Sequence, residues 1–283
     1  QLHYQVQFIA SHGHTTFHLP HKKTTVQLGD GAAIAAETGI PVISDLRALD
    51  VALGGQGAPI VPIGDKLLFG EFSYCLNIGG IANISARSAD KYVSFDICPA
   101  NRVLNLLAAK AGKVYDDGGA IAASGNVNPA LLATLNNFPF YGEQYPKSLS
   151  NDFGVGVIYP LILQEESRTE NALRTYTEHI ALQVTAAVEQ IKKNISPETE
   201  PATMLVTGGG AFNTFLIQSI REQVKQHNIE LLVPDEKIIQ YKEALVMALI
   251  GVLRWREENN VMSSVTGAMR NSVGGAIWMG QEA

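Results

Sequence analysis

Leu76-Asn77-Ile78-Gly79-Gly80-Ile81-Ala82-Asn83-Ile84-Ser85, followed by Tyr92-Val93-Ser94-Phe95-Asp96-Ile97-Cys98-Pro99-Ala100-Asn101, decides how the chain reads. An apolar run enters a glycine pair and returns through a second β-rich run, and a third run delivers one carboxylate, Asp96, to a strand end. Paired glycines, lacking Cβ, let backbone N–H groups approach a phosphate closely. Asp96 is the lone acid of its apolar run, and strand ends are where open α/β sheets place their chemistry. The stretch predicts a phosphate-handling hairpin with a base beside it.

Around that centre the composition is that of an α/β chain. The 283 residues are 46% hydrophobic and 17% charged, with 26 glycines for tight strand-to-helix turns; they suffice for one large or two medium domains, and two are expected. A net charge of −6 and a pI near 5.7 offer no basic stripe, so nucleic acid is a poor partner. No apolar run approaches the roughly 20 residues of a spanning helix, and residues 1–11 lack the blocks of a signal peptide. A cytoplasmic protein without membrane contact is the expectation. Cys75 and Cys98 read as small core or near-site residues. The chain opens without Met inside a strand-like run, Val6-Gln7-Phe8-Ile9-Ala10, so an upstream portion is expected to be absent from the sequence as given.

Upstream of the centre, residues 4–18 read as a strand, a Ser-His-Gly-His turn and a second strand. His12, His14, His18 and His21 invite a metal reading, but alternating strand positions do not converge, and no Cys or carboxylate cluster lies nearby. A turn or substrate-contact role stands ahead of it. Residues 25–28 form another strand, 32–38 a short helix stopped by Gly39, and 40–44 a strand with Pro41 at its start. That strand empties into residues 45–59, whose Gly54-Gly55-Gln56-Gly57 favours a ligand loop over a plain connection. Residues 66–71 show no core pattern and read as the crossing between domains.

Downstream, residues 102–111 carry a helical stripe that Asn101 is placed to cap. The loop at 139–153 offers Lys147 to a phosphate or acidic ligand, although a lone loop lysine is more often solvated. Residues 172–193 are the clearest amphipathic helix, read as scaffold, and 196–201 as a turn. A buried strand at 204–207 leads into Gly208-Gly209-Gly210-Ala211-Phe212-Asn213 and a helix, the way bare backbone approaches a nucleotide base or ribose. Residues 231–233 are one more strand. Residues 242–256 form an almost wholly apolar helix, hence a central one, with Glu243 in its first turn near the positive dipole end. The tail, 264–277, reads as a last helix packing back on the sheet.

The two glycine signatures after strands, with Asp96 between them, resemble the actin, sugar-kinase and Hsp70 superfamily. Within it the chain is most similar to the 1,6-anhydro-N-acetylmuramic acid kinases. Ser11-His12-Gly13-His14-Thr15 resembles that family's SHGQT, residues 45–50 its DFRxxD, residues 54–59 its GGQGAP, and residues 77–83 read NIGGIAN as the family does. Pro146-Lys147-Ser148, residues 208–213, Lys242-Glu243-Ala244 and residues 264–268 also match in order.

The resemblance implies an α/β fold of two ribonuclease-H-like domains flanking an interdomain cleft. Residues 1–70 plus 264–283 would be the remainder of a sugar-side domain incomplete at its N-terminus, and 71–263 the nucleotide-binding domain. It implies ATP and Mg²⁺ as cofactors and an amino sugar as substrate. ATP would phosphorylate O6 while water opens the 1,6-anhydro bridge, giving N-acetylmuramic acid 6-phosphate. Asp96 matches the base that deprotonates the water. Gly79 and Gly80 would face the phosphates and Gly209 and Gly210 the adenosine, with Asn83, Gly208 and Asn213 also among the nucleotide-binding residues. His12, Arg47, Asp50, Gln56, Gly57 and Glu243 fall where the family lines its sugar pocket. The sequence itself sets no oligomeric state, and a homodimer is carried as an expectation only.

Departures from the family pattern are specific. DTGPGN appears as Asp96-Ile97-Cys98-Pro99-Ala100-Asn101, His14 replaces a glutamine, and Leu46 a phenylalanine. A first phosphate loop of the form GTSxDG is not in this sequence; a molecule without it is expected to bind ATP weakly and turn over little. The rivals are a non-catalytic actin-like nucleotide- or sugar-binding protein and a phosphatase or ATP hydrolase without a sugar acceptor. A Rossmann dehydrogenase is disfavoured, because no GxGxxG follows the first strands.

Overall fold

The computed structural model describes residues 5–87, 91–150, 152–194 and 202–280. Contacts divide the chain into two units, Gln1–Phe69 with Tyr241–Ala283, and Gly70–Gln240. The expected start of the strand at Tyr4 and the turn at 196–201 lie outside the described residues.

In the first unit, strand β1 (Ile9–Ala10) is shorter than the run that predicts it. β2 (His14–Leu19) and β3 (Thr24–Leu28) pair antiparallel as a separate hairpin. Helix α1 (Gly31–Thr38) is capped by Asp30, whose Oδ1 accepts from Ala33 N–H at 2.7 Å, and ends on Gly39 at φ +65°. β4 (Val42–Ser44) lies between β1, parallel to it, and the C-terminal strand β10 (Ala276–Trp278), antiparallel. The tail is therefore not the last helix its sequence suggests. A four-residue helix, Ser263–Thr266, stops at Gly267 (φ +78°), and Gly275 at φ +108° breaks any continuation. Ile277 then registers with Ile43, and Trp278 Nε1–H donates to Ser44 Oγ at 3.0 Å.

Further expectations shift here. The ligand loop at 45–59 contains a short helix, α2 (Ala48–Ala52), and the crossing at 66–71 overlaps α3 (Pro62–Leu68), whose Ile63 and Asp65 are buried. The return to the first unit falls at Tyr241, ahead of the 264 expected. Its cause is the helix Glu236–Trp255, where Val246 packs on Gly64, Gly251 on Phe8 and Ala10, and buried Lys242 Nζ meets Asp65 Oδ1 at 2.6 Å. This helix is not apolar all round in its setting: Leu245 is 42% and Val252 40% exposed, while Val246, Ile250 and Leu253 are buried. Nor is Glu243 in its first turn, because the helix starts seven residues earlier, at Glu236, so the dipole account of Glu243 lapses.

The second unit is a five-stranded sheet in the order β7-β6-β5-β8-β9. β5 (Tyr74–Ile78), β6 (Ile81–Arg87) and β7 (Tyr92–Pro99) form an antiparallel meander, and β5, β8 (Ala202–Thr207) and β9 (Ile229–Leu232) run parallel. The helix Thr169–Asn194 belongs to the core, burying Leu173, Tyr176, Ile180, Val184, Val188 and Ile191, the stripe that its sequence spacing marks. The helix Thr214–Lys225 adds Leu216, Ile220 and Val224 to the same core. Among the described residues no helix is long and apolar enough to cross a membrane.

Candidate functional site

Strand register assembles a row of polar side chains across the second sheet. Thr207 on β8 pairs with Asn77 on β5, Asn77 with Asn83 on β6, and Asn83 with Asp96 on β7. Directly paired residues point to the same face, so the row runs from the strand that feeds the triple glycine to the lone carboxylate. Asn77, Asn83 and Asp96 are half-buried among fully buried neighbours, the local signature of a face that opens there.

Asp96 is not at its strand end. It precedes a β-bulge: Asn83 faces Asp96 and Ala82 faces Cys98, which leaves Ile97 as the extra residue. Bulges re-aim neighbouring side chains, and this one falls immediately before Cys98, where the family pattern has a glycine. Asp96 N–H donates to Lys147 O (3.1 Å), and its Oδ2 accepts from Leu149 N–H (2.8 Å). Among the described residues Oδ1 accepts no hydrogen bond, so it is open to a proton donor. Burial raises the Asp96 carboxyl above its ordinary range, with the Leu149 N–H opposing. Lys147, expected to reach an anionic ligand, instead donates from Nζ to Phe140 O and Tyr141 O and lies over the Phe140 ring at 4.7 Å. It straps the segment that holds Asp96.

At the β5–β6 turn, Gly80 O accepts from Ala100 N–H (2.8 Å) and Gly79 O from Asn101 N–H (3.1 Å), at the start of α4 (Asn101–Ala109). Asn101 does not cap α4 as its sequence position suggests; Ala100 takes the cap position, and Asn101 Nδ2–H donates to Ile78 O at 3.0 Å. The fold gives no packing reason for either glycine. A Cβ on Gly79 would come no closer than 3.5 Å to anything, and one on Gly80 no closer than 3.6 Å. Neither has positive φ.

The triple glycine divides differently. Gly208 (φ +82°) and Gly210 are required by the fold, since a Cβ on either would strike Ile78, so packing accounts for both without a ligand. Gly209 is the open one. With Phe212, Asn213, Asn101, Glu236 and Gln240 it lines a cavity of about 480 Å³. Asn213 Oδ1 caps the following helix by accepting from Leu216 N–H (3.0 Å), which leaves its amide nitrogen for the cavity. The volume suits a nucleoside-sized group. Phe212 is 46% exposed at its rim and Tyr115 also lines it, two aromatic faces against which a base can stack.

In the first unit Arg47 is the hub. Its Nε–H donates to His12 Nε2 (2.9 Å), an Nη–H donates to Gly57 O, and Glu243 acts on it electrostatically. Burial, then Arg47, lowers the His12 pKa, so the ring is neutral at pH 7, with Nδ1–H toward Gly13 O (2.9 Å) and Nε2 accepting. Asp50 is turned inward at 1% exposure: Oδ2 accepts from Gly57 N–H and Oδ1 from Thr266 Oγ–H, both at 2.7 Å. It braces the glycine loop from within, a placement different from the sugar-pocket wall expected for it. Gln56 N–H donates to Thr266 O (2.8 Å), and the residue itself is exposed. Thus His12, Arg47, Gly57 and Glu243 converge, while Asp50 supports them.

Sequence reasoning passed over Asn77, Tyr115, Glu236 and Gln240. Asn77 had a signal, a lone amide inside the apolar Leu76–Ile78 run; the other three reach the cavity only through tertiary folding. Among the described residues no group of three or more His, Cys, Asp or Glu side chains could hold a metal ion.

Residues 2–280 match the family model described as Anhydro-N-acetylmuramic acid kinase. The protein of that name from Haemophilus influenzae is 33% identical over 97% of this chain and 75% of its own length, and that from Saccharophagus degradans is 34% identical over 97% and 76%. This chain thus spans about three quarters of the length of these relatives. Among solved structures, the activator of the 2-hydroxyisocaproyl-CoA dehydratase from Clostridium difficile with bound ADPNP is similar over 72% of this chain and 64% of that one, at 17% identity and a TM-score of 0.37, too distant to carry an argument. The chain is an enzyme of the kinase class. It belongs to the anhydro-N-acetylmuramic acid kinase family.

Proposed function

We propose that the protein opens the 1,6-anhydro ring of anhydro-N-acetylmuramic acid with water and transfers the γ-phosphoryl group of ATP to O6, giving N-acetylmuramic acid 6-phosphate in the cytoplasm. The observation that carries this is the polar row Asn77–Asn83–Asp96, ending on a carboxylate with one free oxygen.

In this reading Asp96 Oδ1 takes a proton from the water that attacks C1. Oδ2 stays fixed by Leu149 N–H, so the base is oriented before the sugar arrives. The raised pKa suits the task, since a base whose conjugate acid lies nearer neutrality takes a proton more readily. As C1–O6 breaks, O6 becomes the nucleophile that phosphorus receives. The backbone at Gly79 and Gly80 lies open for phosphate oxygens, and the cavity at Gly209 and Phe212 has room for adenosine. Arg47, held by neutral His12 and Gly57 O, is the donor placed for the sugar's polar groups, with Glu243 as acceptor. Mg²⁺ would neutralise developing charge on the transferring phosphoryl group.

The lost glycines do not favour the non-catalytic reading. Cys98 and Ala100, which stand at those two positions, both have negative φ, so neither sits in the left-handed region that calls for glycine. The test is incubation with ATP, Mg²⁺ and the anhydro-sugar. The reading expects sugar-dependent ADP formation; ATP loss indifferent to the sugar would replace it with a hydrolase.

A further inference from the structure

One cation beside the glycine turn has no task in the fold. Arg102, the second residue of α4, is exposed, and no acceptor among the described residues is bonded to its guanidinium. Helical neighbours do not explain it, since the positions three and four residues on are Asn105 and Leu106, neither of them an acid. Its place is defined by Gly80. A Cβ on that glycine would sit 3.6 Å from Arg102 Nε and 3.9 Å from Nη2, so the guanidinium lies across the open face of the turn.

Gly80 and Arg102 line a depression of about 550 Å³ together with Asn101 and Asn105. The same two asparagines line the 480 Å³ cavity of Gly209 and Phe212. The two recesses are therefore neighbours on one wall, and their charges are of opposite sign. The far end carries the acidic side chains of Asp117 and Glu236 and the aromatic faces of Tyr115 and Phe212; the Gly80 end carries a guanidinium. A ligand fitting this gradient has an aromatic, hydroxyl-bearing end and an anionic end.

We propose that Arg102 binds the phosphates of the nucleotide, its guanidinium donating to non-bridging oxygens over Gly80 while adenosine occupies the cavity at Gly209. The assignment rests on the nucleotide reading above and gives that ligand its direction: base and ribose toward Glu236, phosphates toward Arg102. Arginine suits the place, because its planar fork can hold two phosphate oxygens at once.

Calorimetric titration of the protein with ATP, ADP and adenosine, for the wild type, Arg102→Ala and Arg102→Lys, tests it. Loss of one charged, partly solvated contact is expected to weaken ATP and ADP about tenfold in Arg102→Ala. Adenosine affinity stays within about twofold, because the ribose end is untouched, and Arg102→Lys recovers part of the loss by keeping the charge without the fork. The loss shrinks as salt rises, as an exposed ionic contact requires. Unchanged ATP and ADP affinity in Arg102→Ala overturns the assignment alone, and so does an equal loss for adenosine, which would mark a structural role. A wild type that binds neither ATP nor adenosine overturns the nucleotide reading and the assignment with it.

Discussion

At the scale of single residues, the account turns on Asp96 and on which glycines the fold needs. Burial raises the Asp96 pKa, so its charged form is disfavoured in the folded state. The sign follows: the buried carboxylate lowers stability at neutral pH, and that cost disappears as pH falls below the raised folded value. Asp96→Asn removes the charge while keeping the shape. It is expected to leave the melting temperature unchanged or higher, and to cut turnover by about 10²–10⁴ as a lost general base does. For the wild type, kcat should fall with acid at a pH above the range of an exposed aspartate. Differential scanning calorimetry and a pH–rate profile check both. Gly80→Ala and Gly210→Ala should separate. A methyl on Gly80 meets nothing closer than 3.6 Å and leaves stability alone while weakening ATP binding, whereas one on Gly210 strikes the Ile78 side chain and is expected to cost about 1–3 kcal/mol by overpacking. Denaturant midpoints and ATP titrations of the two variants tell them apart.

At the scale of elements, much was legible because the period of the apolar residues sets the face they bury. The stripe from Leu173 to Ile191 marked the core helix, and Gly39 marked the end of α1. Strand, glycine pair, strand and carboxylate were all readable around Asp96. The bulge at Ile97 was not, because a register shift depends on the partner strand. The tail failed for a related reason. Its short apolar run, Ala276–Trp278, takes strand geometry from β4 and not from its own period. The helix Glu236–Trp255 was misjudged at its start: Ile238 and Ile239 stand side by side among the polar residues of 236–241, and only the denser apolar run from 242 on was read as helix. In the first unit, Thr266→Val tests the brace on Asp50. Losing the 2.7 Å hydroxyl donor to a buried carboxylate is expected to cost about 1–3 kcal/mol, read as a lower denaturant midpoint. It should also raise the KM for the sugar through the slackened Gly57 loop.

For the whole molecule, each unit holds chemistry suited to a different reactant. The first gathers Arg47, neutral His12, Gly57 and Glu243, and the second gathers the open glycines, the 480 Å³ cavity and Asp96. Family membership fixes the kinase class, and in the proposed reaction Asp96 would tie water attack to phosphoryl transfer. The most direct test is a first-turnover reaction in ¹⁸O-labelled water with ATP, Mg²⁺ and anhydro-N-acetylmuramic acid, followed by mass spectrometry of the sugar. The account predicts one product carrying both a phosphate on O6 and ¹⁸O at C1, formed one-for-one with ADP and lost in Asp96→Asn. A phosphorylated sugar with its anhydro ring intact, or ¹⁸O in the phosphate in place of C1, would contradict it.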